Sequence, residues 1–463
     1  MISKDIAEFA HAFDLAQVPD AIVERSKYLI LDAIGIAHAS GTHDFAHKAM
    51  ATLADFGSGD HRLIGSDQTA TMRDAMLLNG ILVHGLDFDD THTAGVIHAT
   101  ASSFPCVLAL GEKCGSSARE MLEAYVLAME VSTRLGAVAK GGFHAAGFHP
   151  TGVIGIFGCS VAACRLLGLS VEQTQMAQGI ALSMASGSLE FLEDGAWTKR
   201  MHPGWAAGAA VTAAIMAKNG YIGPRAAYEG RYGLYASYLG PQNENSEHAL
   251  ATRGLGTTWE IEGVAVKPLP ACHFTHAAAD AAAEIQRRDN PSIDAIEKVR
   301  VKVPAGVVNV VCEPVASKKK PKNSYEAQFS IPYAVATGLL TGDFQLKDLE
   351  PEALGDSRRL NLASLVEYEQ DPEADFPRFY SGEVCVHLKD GSTLSHREHI
   401  NRGNKERPLS NADVEAKYRK NMAGPVSAEK TEEILAFIQT LDRSDVSCRD
   451  FARALANAAT ASA

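Results

Sequence analysis

Hydrophobic positions recur at helical spacing from the N-terminus to about residue 265. Ser117 and Glu120 form a capping box, and Met121, Leu122, Tyr125, Val126 and Met129 follow on one helical face, with Gly136 suited to the stop. Ser170 and Gln173 repeat the device ahead of Met176 and Ile180. The Ala-rich stretch 206–217 carries glycine, which predicts helices packed closely in a large core. The period then switches to two. Val299, Val301 and Val303 alternate with Arg300 and Lys302; Val384, Val386 and Leu388 repeat the alternation, and Asp390-Gly391 supplies a turn before Thr393 and Leu394. Between these strands, 327–340 predicts a helix that starts irregularly near Pro332. Helical patterns return at 411–423 and 427–441. The expected fold is mainly α: a large all-helical domain built from both chain ends (1–265 plus 405–463), with a smaller α+β lid domain inserted at 266–404. A cleft between the two is the expected ligand site.

Composition narrows the partners. The chain has 463 residues, with 43 Lys+Arg against 56 Asp+Glu, for a formal charge of -13. Such a chain is a poor general binder of nucleic acid or of anionic membrane, so an anionic ligand needs a local positive pocket. The longest apolar stretch, 204–216, is far shorter than the ~20 residues of a membrane helix. Eight cysteines without a Cys-x-x-Cys pair argue against a disulfide scaffold or a structural zinc site. No signal peptide is read at the start, so the expected location is cytoplasmic.

Against this acidic background, His and Lys concentrate in four segments. The first is His84 and Asp87-Phe88-Asp89-Asp90-Thr91-His92, with His98 beyond. On a helix Asp87, Asp90 and Thr91 would share a face and Asp89 would point away. The acids suit a divalent cation, a general base with its orienting partners, or a solvated helix end. The second, 141–152, is a Gly-rich loop bearing His144 and His149 just before a helix start, where anions are favoured; a Gly-rich turn with a structural histidine explains it as well. The third, Lys199-Arg200-Met201-His202, suits a carboxylate or phosphate, or is a solvated basic loop. In the fourth, Lys267 and Cys272-His273 flank a proline-stiffened boundary turn; Cys272 is either an activated thiol at a helix start or a small buried side chain. No Gly-x-Gly-x-x-Gly or P-loop pattern accompanies them, so a nucleotide is not indicated.

These segments, in this order, resemble the MmgE/PrpD family over nearly the whole chain. Leu31-Asp32-Ala33-Ile34-Gly35, Asn79-Gly80, His84-Gly85-Leu86-Asp87-Phe88-Asp89-Asp90-Thr91-His92, Phe148-His149-Pro150-Thr151, Lys199 to Gly204, Lys267 to Cys272, Glu326 to Tyr333 and Ala416-Lys417-Tyr418 carry the resemblance. That family includes 2-methylcitrate dehydratases, cis-aconitate decarboxylases and iminodisuccinate epimerases. The resemblance implies a homodimer and no cofactor or metal, with a small polycarboxylate as substrate. It implies active-site roles for Asp87, Thr91, His98, His149, Lys199 and Lys267. With the residues of the four segments added, the expected catalytic set is Asp87, His98, His149, Lys199 and Lys267, and the expected substrate-binding set is Thr91, His144, His202, Cys272 and His273. Two departures stand out: His98-Ala99-Thr100 replaces a usual His-Pro-Ser, and His273 stands where many members carry Arg. Cys272 occupies the position of a histidine that is catalytic in the decarboxylases, so on sequence the chain does not look like a cis-aconitate decarboxylase.

The family reactions share an enolate-like intermediate formed next to a carboxylate, which needs cations and hydrogen-bond donors where charge develops. The expected activity is that of a 2-methylcitrate dehydratase-like hydro-lyase, with an iminodisuccinate-like epimerase or a decarboxylase as alternatives. His98 or Asp87 is the expected base, and His149 or His144 the acid. A non-catalytic carboxylate-binding protein is the alternative from another class.

Overall fold

The computed structural model describes residues 1–456. Residues 457–463, expected as the tail of the helical domain, lie outside the described residues. The chain is mainly α-helical and separates into two units. The first comprises Met1–Leu189, Thr198–Val266 and the described residues from Ser410 on; the second comprises Glu190–Trp197 and Lys267–Leu409. The short segment 190–197 goes with the second unit because Phe191 packs its ring against Tyr325 and Phe329, with centroids 6.1 and 6.5 Å away.

In the first unit the principal helices are α1 (Asp20–Ser40), α2 (Met72–His84), α3 (Ala99–Cys114), α4 (Ala118–Val138), α5 (Pro150–Leu166), α6 (Val171–Leu182) and α7 (Thr198–Lys218). Both capping boxes form, Ser117 with Glu120 and Ser170 with Gln173, and α4 runs a turn fraction past Gly136 to Val138. Helix α5 starts with Pro150, where a missing N–H costs nothing, and is buried from Pro150 through Cys164. Small residues decide how α2 meets α7. A Cβ on Gly80 would stand 2.4 Å from the Gly204 Cα, so the two backbones touch directly. That approach brings the C-terminal end of α2, with His84, to the N-terminal end of α7, with Lys199. Arg200 donates from Nε to the Gly85 carbonyl at 2.7 Å and lies 4.3 Å over the Phe45 ring, which fixes the corner.

The segment 87–91 is not helical. It is a turn leading into β1 (Thr91–His92), which pairs antiparallel with β2 (Val264–Ala265) through Thr91↔Ala265 and His92↔Val264. The expectation that Asp89 points away therefore fails: Asp89 is buried against His84. The physical reason is its sequence context, since Asp87 adopts φ 49° in the left-handed region and breaks any helical run.

The second unit holds α8 (His273–Asp289), β3 (Ile296–Val303), α9 (Ile331–Thr341), β4 (Val366–Gln370), β5 (Gly382–Leu388) and β6 (Thr393–Glu398). The sheet order is β4-β3-β5-β6, with β3 parallel to β4 and antiparallel to β5. Val299 opposes Val386 and Val301 opposes Val384, so the period-two apolar face is buried as one layer. The helix expected at 327–340 is two, Ser324–Gln328 and α9, because Ser330 caps the second, bonding the Tyr333 N–H, and Pro332 sits in its first turn. Returning to the first unit, Asn411–Met422 forms α10. Among the described residues, no helix is long and apolar enough to cross a membrane.

Candidate active site

Seven of the sequence-selected residues come together in the first unit. Asp87 accepts from Lys199 Nζ at 3.0 Å, both side chains being nearly inaccessible. His98 Nδ1 lies 2.7 Å from the Asp90 carbonyl oxygen and 3.2 Å from Thr91 Oγ1, and its backbone N–H donates to Thr151 Oγ1 at 3.0 Å. A carbonyl only accepts, so Nδ1 carries the proton and Nε2 is left as the basic nitrogen. His149, the residue before α5, places Nδ1 3.1 Å from Nδ1 of His202, one turn along α7 from Lys199. Its backbone is pinned by a bond from its N–H to the Gly187 carbonyl at 2.9 Å. His144, on the short helix Gly142–Ala145, faces the Lys199 charge.

Two further groups complete the cluster, and neither was among the residues given a role from sequence. His84 Nδ1 lies 2.7 Å from Asp89 Oδ2, and the His84 ring sits 4.9 Å from that of His98 and 5.6 Å from that of His149. The available signal was the pair itself, a histidine five positions ahead of an acid, but only the turn between them makes it a contact.

Burial sets the electrostatics. It holds His149 well below the ordinary imidazole range, helped by His202 and Lys199, and it depresses His144 and His202 to about 4. His84 is lowered by burial against the opposing pull of Asp89. The same effect, with the neighbouring Asp89 charge, pushes Asp90 up to about 7. Burial therefore favours the neutral imidazole at His84, His144, His149 and His202. Two overlapping groups have the donors for a metal ion, His84–His98–His149 and Asp87–Asp89–His98, each with donor atoms within 4.8 Å of one another. The Lys199 ammonium pairs with Asp87 and so partly neutralises the second of these groups.

The remaining selected residues lie in the second unit. Lys267 is fully buried. Cys272 precedes α8 and donates its N–H to the Gln328 carbonyl at 2.9 Å. His273 Nε2 accepts from Asn401 Nδ2 at 2.7 Å, with Tyr380 edge-on to its ring. Next to them, His276 is held well below the usual imidazole range by burial, with His273 and Lys267 adding to the shift.

Residues 4–247 match the family model for the MmgE/PrpD N-terminal domain, and residues 269–443 match that for the MmgE/PrpD C-terminal domain. Among curated proteins, the chain is 28% identical to a cis-aconitate decarboxylase of Homo sapiens, covering 95% of this chain and 92% of that protein. It is 27% identical to the cis-aconitate decarboxylase of Mus musculus, covering 95% and 91%. A cis-aconitate decarboxylase of Aspergillus terreus is 25% identical, covering 96% and 93%.

Proposed function

The chain belongs to the MmgE/PrpD family, whose members are enzymes acting on carboxylates, and from that premise we propose that it is a cofactor-independent hydro-lyase of the 2-methylcitrate dehydratase type, acting on a small di- or tricarboxylate. The observation that carries this reading is His98, whose Nδ1 faces the Asp90 carbonyl and leaves Nε2 basic, grouped with Asp87 of the Lys199–Asp87 pair. Dehydration begins with a base, and a neutral imidazole is one; decarboxylation calls first for an electron sink and then for a proton donor. His98 Nε2 takes the α-proton. The resulting enolate-like dianion develops charge beside the Lys199 ammonium, which Asp87 holds in place without reorganisation. The electron pair then expels the β-hydroxyl, which leaves as water with a proton from His149. Bound carboxylates favour the imidazolium form of His149 by adding negative charge to the site. Lys267 is proposed as a further electrostatic partner of the intermediate, as the family resemblance implies, and Cys272 and His273 as substrate-binding residues; the same resemblance supports a homodimer.

Decarboxylation is the second reading, and what favours it is the name shared by the relatives at 25 to 28% identity. Against it stands Cys272 at the position of the decarboxylases' histidine. One experiment separates the readings: chelator-treated enzyme is incubated in D₂O with a panel of di- and tricarboxylates and followed by NMR. Deuterium at the α-carbon with loss of water is expected. Loss of CO₂ overturns the hydro-lyase in favour of the decarboxylase; exchange with inversion and no loss indicates an epimerase. No exchange or turnover with any member leaves a carboxylate-binding protein.

A further inference from the structure

Two of the resemblance-bearing segments, near residues 31–35 and 416–418, lie far from the reacting residues in sequence and take no part in the chemistry above. In the first unit they meet. Lys417, on α10, places Nζ 2.8 Å from Asp32 Oδ1 and 2.9 Å from Oδ2, on α1. The same ammonium donates to the Phe88 carbonyl at 2.7 Å and lies 3.8 Å from the centre of the Phe88 ring. Beside it, Tyr418 packs so tightly on Gly35 that a Cβ there would stand 3.1 Å from the tyrosine ring. All of these side chains are buried.

Phe88 is the residue between Asp87, which holds Lys199, and Asp89, which holds His84. Asp87 is in the left-handed region, at φ 49°, a conformation that a non-glycine residue keeps only when its surroundings hold it there. A group that grips Phe88 by both carbonyl and ring therefore holds the two acids on either side. Asp32 in turn fixes the ammonium: a buried charge needs a partner, and the carboxylate places Nζ where the Phe88 carbonyl can use it.

We propose that Lys417, seated by Asp32, is a positioning residue that clamps the 85–92 segment from α10 and so sets the Asp87–Lys199 and Asp89–His84 geometry. It acts through Phe88. Its role rests on the reading of Asp87 and Lys199 as catalytic, so the test includes a readout that needs no substrate.

The test compares Lys417→Met, Lys417→Arg and Phe88→Leu with the full-length wild type. Lys417→Met should lower kcat by ~10²-fold with KM changed by only a few-fold, as displacement of a catalytic group by about 1 Å does. Hydrogen–deuterium exchange read by mass spectrometry should rise in the 85–92 peptide and stay unchanged in the α4 and α6 peptides. Lys417→Arg, which keeps the charge for Asp32, should recover part of both losses. Phe88→Leu keeps the Asp32–Lys417 pair and removes only the ring contact, so it gives an answer if Lys417→Met does not fold; a selective rise in 85–92 exchange is expected. Unchanged 85–92 exchange in these variants overturns the clamp. So does a kcat per folded molecule within about twofold of wild type in Lys417→Met while Lys199→Ala is inactive. If Lys199→Ala itself keeps full turnover, the catalytic reading fails instead, and the exchange result still decides the clamp.

Discussion

His98 shows how one hydrogen bond assigns a role. Its Nδ1 faces the Asp90 carbonyl at 2.7 Å, which fixes the tautomer and leaves Nε2 basic. His98→Asn, whose Nδ2 keeps a donor at the Nδ1 position but which has no basic nitrogen, should therefore lose at least ~10²-fold in turnover and in α-proton exchange, measured by NMR in D₂O. Lys199→Ala should lose as much by removing the fixed positive charge. Wild-type exchange in either variant sinks its assignment. At this scale the sequence showed which residue types were available, because histidine and lysine in glycine- and proline-rich loops of an acidic chain are visible from composition alone. It did not show that Asp89 turns inward to His84. A helical wheel places Asp89 on the outer face, and only the left-handed Asp87 reverses it.

The helices α2 and α7 argue the same point at the next scale. Their contact runs through Gly80 and Gly204, and a Cβ on Gly204 would stand 2.3 Å from the Leu77 carbonyl. Gly204→Ala or Gly80→Ala should lower stability by about 1–3 kcal/mol through overpacking and should shift Lys199 relative to Asp87. Gly208 lies on the same helix, and a Cβ there would stand 3.5 Å from its nearest neighbour, so Gly208→Ala should be neutral or stabilising by up to ~1 kcal/mol. Denaturant titration of the three variants checks the contrast; equal effects would mean the close approach is not what holds the pair. The capping boxes at Ser117 and Ser170, the strand periodicity around Val299 and Val384, and the Asp390-Gly391 turn could all be read in advance, because the caps and the turn are satisfied within a few residues and the alternation is itself a local pattern. The strand at 91–92 could not be, because it depends on a partner distant in the chain. The break at 329–330 rests instead on a local cap, Ser330 on the Tyr333 N–H, which apolar periodicity alone passes over.

For the whole molecule, the buried titratable groups fix how stability responds to pH. Burial depresses His38, His144 and His202 to about 4, below the ordinary imidazole value of 6.5. In the window between 6.5 and 4 the unfolded chain binds those protons and the folded chain does not, so their contribution to stability is lost as pH falls. Asp90, raised to about 7, works oppositely: its contribution is full below 3.8 and is lost as pH rises through 7. Three imidazoles outweigh one carboxyl, and the melting midpoint should fall by roughly 5 °C or more between pH 7 and pH 4.5, followed by circular dichroism. A flat midpoint would mean that these histidines are solvated. The net charge of -13 belongs to this scale too: it disfavours extended polyanions, and the proposed small carboxylate would meet its positive charge locally, at Lys199. The sequence by itself determined the mainly helical character, the run of strands after residue 265 and the kinds of side chain on hand, because periodicity, caps and turns are local. Only the tertiary structure decided that Lys417 of α10, seated by Asp32 of α1, grips Phe88, and that His84, His144 and His149, from separate segments, gather near Lys199. Those contacts join residues up to 385 positions apart, and no local preference encodes a partner at that distance.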